Sequence, residues 1–154
     1  MGGAGSGDVA VDPGRYCTQD DLLKLVPELE LAQITAESGD VPDAAVVSEA
    51  IAKAAAEIDA YLAVRYQLPL AATPARVKSL AVDLSLYHLY SRRSVAPEVR
   101  RQKYEDAIAF LKLVAAGKAE IVGAAGVEVP GDAQDVTEIK SAGRVFSRGT
   151  LGGF

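Results

Sequence analysis

Asp59 and Asp83 have the strongest claim to reactivity in this chain of 154 residues. Each stands inside an apolar helical run. Two facing carboxylates with different proton affinities can share acid–base work or hold a divalent metal. The surroundings predict a plainer outcome, in which each pairs with an Arg or Tyr such as Arg65, Arg76 or Tyr87. A buried charge is costly unless matched. His88 is the only histidine and Cys17 the only cysteine. One of each falls short of the ligand sets of ordinary zinc sites, and no internal disulfide can form. His88 continues the stripe of Ala81 and Leu84, which predicts a buried, hydrogen-bonded imidazole rather than a base. Cys17 precedes a helix start, a position that can favour a thiolate, but it reads as an inert packed thiol. The glycine-rich stretches 2–7 and 149–153 fit no phosphate-binding fingerprint, because no GK[ST] follows and no strand–turn–helix frames them. Catalysis, a metal centre and a bound cofactor are all unexpected.

The cations suggest contacts instead. Arg92, Arg93, Arg100, Arg101 and Lys103 make a basic run without aromatic interleaving or a recognisable reading helix. The net charge of −5 argues against a dedicated nucleic-acid binder, whose affinity comes largely from Lys and Arg displacing counterions. Charge is also unevenly spread. Residues 1–40 carry two basic and eight acidic side chains, whereas residues 91–118 carry seven basic and three acidic ones. That asymmetry suits a head-to-tail contact between copies, with two ordinary solvated surfaces as the alternative.

These residues must be positioned by helices. Apolar residues make up 49% of the chain, much of it alanine, and tryptophan is absent, so the core must rely on close helix–helix approach. Thr18 with Asp21 marks a cap for a first helix bearing Leu22, Leu23, Leu25 and Val26, closed by Pro27. A short second helical turn runs through Leu29, Leu31 and Ile34. A long helix from about Asp43 to Arg65 places Val47, Ile51, Ala54, Ile58 and Leu62 on one stripe, with Glu49, Lys53 and Glu57 opposite. Thr73-Pro74 opens a helix in the order of capping hydroxyl then proline. That helix is apolar on two sides, through Val77, Leu80, Ala81 and Leu84 and through Val82, Leu86 and Leu89, as befits the middle of a bundle. It ends at Arg92-Arg93, favourably placed against the helix dipole. Pro97 opens a last helix that stops at Gly117, with Tyr104, Ala107, Ile108, Leu111 and Val114 on its core face. Val99, Phe110 and Leu113 lie on another face and either widen the core or meet a neighbouring subunit.

The ends differ from the middle. Residues 1–15 are Gly-rich and acidic, unlike a signal peptide, and read as a flexible arm or an expression remnant. No apolar run approaches the ~18 residues that a membrane span requires. After residue 118 the helical period is lost. Ile121-Val122 and Val127-Glu128-Val129 look like short extended pieces, and Val145, Phe146, Leu151 and Phe154 are isolated anchors among small residues. With Arg144 and Arg148 they describe a docking tail that cannot form its own core but can lie along another chain.

From residue 16 onward the chain resembles a phage virion family, the Mu gene product thirty-six type. Tyr16-Cys17-Thr18 leads into QDDLLKLVP, followed by AIAKAAAEIDAYLAVRYQLPL over 50–70 and PARVKSLAVDLSLYHLYSRR over 74–93. RQKYEDAIAFLKLVAAGK over 101–118 and the closing RVFSRGTLGGF complete the pattern. Residues 1–15 have no counterpart in it. The resemblance implies an all-α bundle of four to five helices with an extended C-terminal tail. Composition and period divide the chain into an arm or expression remnant (1–15), a helical domain that the resemblance makes a connector domain (16–118) and a C-terminal segment (119–154). The resemblance also implies a head–tail connector subunit in the virion neck, assembled in the host cytoplasm. Such connectors form rings, commonly twelvefold, beside a portal protein and the next neck or tail-completion protein. The genome passes through the lumen without sequence-specific binding. Phage-derived particles such as gene transfer agents use similar parts. The rival classes are a small helical regulator that binds DNA or protein, favoured by the basic run, and an enzyme with an unfamiliar carboxylate site.

Overall fold

Five helices account for most of residues 16–123, the part of the chain that this computed structural model describes. They are α1 (Gln19–Leu23), α2 (Glu28–Thr35), α3 (Ala44–Leu62), α4 (Ala75–Arg92) and α5 (Glu98–Ala115). No strand occurs among the described residues, so the fold is all-α.

Each helix start has a local cause. At α1 the Thr18 hydroxyl accepts the Asp21 N–H while the Asp21 carboxylate accepts the Thr18 N–H, closing the expected capping box. Asp43 caps α3 by accepting the Ala45 and Val46 N–H groups. The other three helices start at Pro27, Pro74 and Pro97, whose φ near −60° and extended ψ suit an N-cap without any side-chain bond. The expected Thr73 cap is therefore a correction. Proline itself takes the cap position, which leaves the Thr73 hydroxyl one residue too early. At the far end of α5, Gly117 turns the chain with φ of 78°, and a Cβ there would collide with the Arg65 guanidinium.

α4 is the centre. It touches α1, α2, α3 and α5, and both of its apolar stripes are buried. Val77, Leu80, Leu84, Leu86 and Leu89 lose essentially all contact with water. Each such side chain contributes roughly 1.5–3 kcal/mol of burial. The α3 stripe from Val47 to Leu62 packs against it as expected, and α5 adds Ala107, Leu111 and Val114, with Tyr104 and Ile108 at the margin. Alanines 50, 54, 55, 81 and 107 let these helices approach closely.

Several apolar residues depart from expectation. Leu25 and Leu29 point outward, because Leu22, Val26, Leu31, Ala32 and Ile34 are the apolar residues that α1, α2 and the turn between them bury. Val99 and Leu113 are 56% and 46% exposed and do not widen the core, whereas Phe110 packs against its edge. Ile121-Val122 is not a strand. Ile121 is buried, with its N–H donated to the Tyr66 hydroxyl at 3.1 Å, and Val122 stands in water. The helical body thus extends a few residues past 118. The arm (1–15), the Val127–Val129 piece and the tail anchors Arg144, Val145, Phe146, Arg148, Leu151 and Phe154 lie outside the described residues.

Candidate interaction surfaces

The two carboxylates with most claim to reactivity have separate neighbours. Asp59 accepts the hydroxyl of Tyr16, which fastens the start of the described chain to α3. A tyrosine partner was expected, but not this one. Burial first, and then the bond and charge of Asp59, push the Tyr16 hydroxyl well above its ordinary pKa. Asp83 faces Lys103 and Arg100 of α5 and Arg76 of its own helix. Burial raises its pKa, and those three cations only partly offset the effect. No group of three or more His, Cys, Asp or Glu residues among the described residues could hold a metal ion.

His88 is hydrogen-bonded as expected, and its partner is Glu57. Glu57 Oε1 lies 2.7 Å from His88 Nε2, and Oε2 accepts the Tyr104 hydroxyl at 2.9 Å. Tyr87 stacks on Tyr104 with ring centres 4.2 Å apart. Glu57 was expected on a solvated face, yet it joins α3 to both α4 and α5. Burial and the Glu57 carboxylate push Tyr104 up to about 12. Cys17 packs in the core with its sulfur 3.8 Å from the Ser85 hydroxyl, and burial pushes its thiol up to about 11. The helix start does not activate it.

Most of the basic run is engaged within the chain. Arg92 donates to the Ile34 carbonyl at 3.3 Å and Arg93 to the Ala36 carbonyl at 2.5 Å. These are carbonyls at the C-terminal end of α2, so the two guanidiniums close the end of another helix. Arg101 is bracketed by Glu98 and Glu105 on its own helix at 2.5 and 2.7 Å. Arg100 lies over the Tyr90 ring at 5.7 Å, and Arg76 over Phe110 at 4.4 Å. The α4–α5 face therefore holds Arg76, Arg100 and Lys103 around Asp83, with Val99 exposed on the same helix as Arg100.

A second surface lies where α2 meets the turn between α4 and α5. Leu29, Ile34, Tyr90 and Val95, with Pro27 and Pro97, line an open groove of ≈ 460 Å³. Glu30 stands in it with its carboxylate accepting the Tyr90 hydroxyl. Leu29 is 55% and Val95 59% exposed, so large aliphatic side chains are left in water here. A second groove shares Gln33, Ile34 and Val95 with the first and runs on to Glu37. Sequence reasoning missed this surface. Its only signal was the position of Leu29, two residues before the buried Leu31 on the same helix.

The fold and its surfaces define a small all-α bundle whose reactive groups are engaged in its own architecture. Residues 16–138 match the family described as Bacteriophage Mu, Gp36. The chain is similar to the Mu-like prophage FluMu protein gp36 of Haemophilus influenzae (strain ATCC 51907 / DSM 11121 / KW20 / Rd), with 34% identity over 90% of this chain and 97% of that protein. It is also similar to Gene product J of Escherichia phage Mu, with 30% identity over 86% of this chain and 94% of that one. The chain belongs to the Bacteriophage Mu Gp36 family and is a phage protein. No helix of the described residues is long and apolar enough to cross a membrane.

Proposed function

We propose that this chain is a structural virion subunit of the head–tail connector, one copy in a ring between the portal and the tail through which DNA passes. One observation carries the reading: the bundle presents two unlike surfaces, a cationic α4–α5 face and a mainly apolar trough beside α2 that carries Glu30. Unlike patches on one chain make heterologous contacts, and these close into rings when the rotation between copies permits. Membership in a phage family supports the same reading. So does the use of Asp59, His88 and Cys17 as helix fasteners rather than as a convergent reactive set. The ring is expected to hold about twelve copies, in keeping with the resemblance to connectors, and to meet the portal protein on one side and the next neck component on the other.

The regulator reading keeps only part of its support, because Arg92, Arg93 and Arg101 of the basic run have partners within the chain. Native mass spectrometry of the purified chain, alone and mixed with a portal protein, tests the proposal. A closed ring or a portal complex is the expected result. A monomer under both conditions, with salt-dependent affinity for duplex DNA, would favour the regulator.

A further inference from the structure

The trough beside α2 combines exposed aliphatic side chains, Leu29 and Val95, with carboxylates at Glu30 and Glu37 and one cation, Arg93, whose guanidinium is held by the Ala36 carbonyl, so that acids outnumber bases along it. A fitting occupant carries large apolar anchors interleaved with cations and no acids. Residues 144–154, RVFSRGTLGGF, fit that description: Arg144 and Arg148 are four residues apart, and Val145, Phe146, Leu151 and Phe154 supply the anchors. The other terminal segment does not fit. Residues 1–15 carry Asp8 and Asp12 against Arg15 and no aromatic residue, so their charge has the wrong sign for an acidic trough.

Length permits the contact. Gly123 lies against Pro74, which stands 3.9 Å from where a Cβ at 123 would sit, so the described chain ends beside the start of α4. The trough is at the opposite end of that helix, about 27 Å away at 1.5 Å per residue. The chain between 123 and 144 can extend about 66 Å at 3.3 Å per residue, enough to pass beyond its own bundle.

We propose that residues 144–154 of one copy dock in the α2 trough of the next. Phe146 fills the groove between Leu29 and Val95, and Arg144 and Arg148 are set against Glu30 and Glu37. The inference rests on the ring reading above, because the segment and its trough are then the two halves of a repeating contact.

The test uses the full chain with Phe146→p-benzoylphenylalanine, mixed from ¹⁵N-labelled and unlabelled copies and irradiated. The expected result is crosslinked peptides of mixed isotope content that join residue 146 to residues 28–37 or 93–97. The yield should fall at least tenfold in Leu29→Asp/Val95→Asp, whose melting temperature should be unchanged because both side chains are exposed. Leu29→Met should retain the crosslink. Crosslinks of a single isotope content would place the segment on its own bundle and overturn the inference. Crosslinks to the α4–α5 face, or none to any copy, would overturn it as well. Incorporation into particles is read separately. A chain found in the virion neck but crosslinked elsewhere sinks the docking alone. A chain crosslinked in the trough but absent from particles sinks the virion role.

Discussion

Cys17 shows how far a local signal can mislead. Its place before a helix start suggests activation, but burial dominates and raises the thiol to about 11. A thiol-specific disulfide reagent at pH 8 is therefore expected to modify Cys17 only as fast as the whole bundle unfolds. Labelling at the rate of a free cysteine would show the thiol to be open. The tyrosines give a pH prediction. Tyr16 and Tyr104 are both raised in the fold, so folding favours their neutral forms. Stability from that source is complete below the ordinary tyrosine pKa of 10 and declines as pH climbs from 10 towards 12. Spectrophotometric titration should find Tyr16 and Tyr104 ionising only above pH 10, together with loss of helical circular dichroism. If Tyr16 and Tyr104 ionise near pH 10 while the helices persist, the hydroxyl bonds to Asp59 and Glu57 are not formed in solution. Asp83 is also raised, so its charge is unwelcome at neutral pH. Asp83→Asn should melt slightly higher than the parent at pH 7, and the gain should vanish near pH 3, where Asp83 is itself protonated.

α4 and its neighbours were largely legible, because burial on two sides leaves an apolar period that a single sequence displays. Leu84→Asp would place an unpaired charge at the bundle centre and cost several kcal/mol, enough to unfold a domain of ordinary stability. An unchanged thermal melt for that variant would show that α4 is not central. The Thr18 cap was legible for a similar reason, since both partners lie within four residues. Glu57 was not. Its partners, His88 and Tyr104, lie 31 and 47 residues away, and a spacing of four from Lys53 disguised it as a surface residue. Glu57→Ala removes one acceptor from two helices at once and is expected to cost about 1–3 kcal/mol in chemical denaturation. A loss below a few tenths would mean that water replaces the carboxylate. Thr73 was misread because a proline can open a helix either as its cap or as its first residue, and composition does not distinguish the two. The trough was invisible for a different reason. It is assembled from α2 and the turn after α4, which periodicity treats separately.

For the molecule as a whole, the uneven charge distribution was evident from the residue counts, but which cations remain for partners was not. Arg92, Arg93 and Arg101 are occupied at home, so contact between copies is expected to draw on Arg76, Arg100 and Lys103. Each exposed pair is weak and screened by salt. Raising NaCl from 0.05 to 0.5 M, an arbitrary tenfold span of about three in Debye length, should lower ring occupancy severalfold. Arg100→Gln/Lys103→Gln should flatten that dependence. Rings indifferent to both changes would leave apolar docking as the sole source of cohesion. The two arginines that close α2 have one further bearing, on synthesis. A ribosome releases α1 and α2 first, yet the carbonyls of Ile34 and Ala36 wait for guanidiniums 58 and 57 residues later in the chain. Nascent chains that stop before α4 therefore carry an unfinished helix end and lack the central helix that would cover it. Such fragments are natural prey for proteases, so truncated chains should be cleared while completed ones survive.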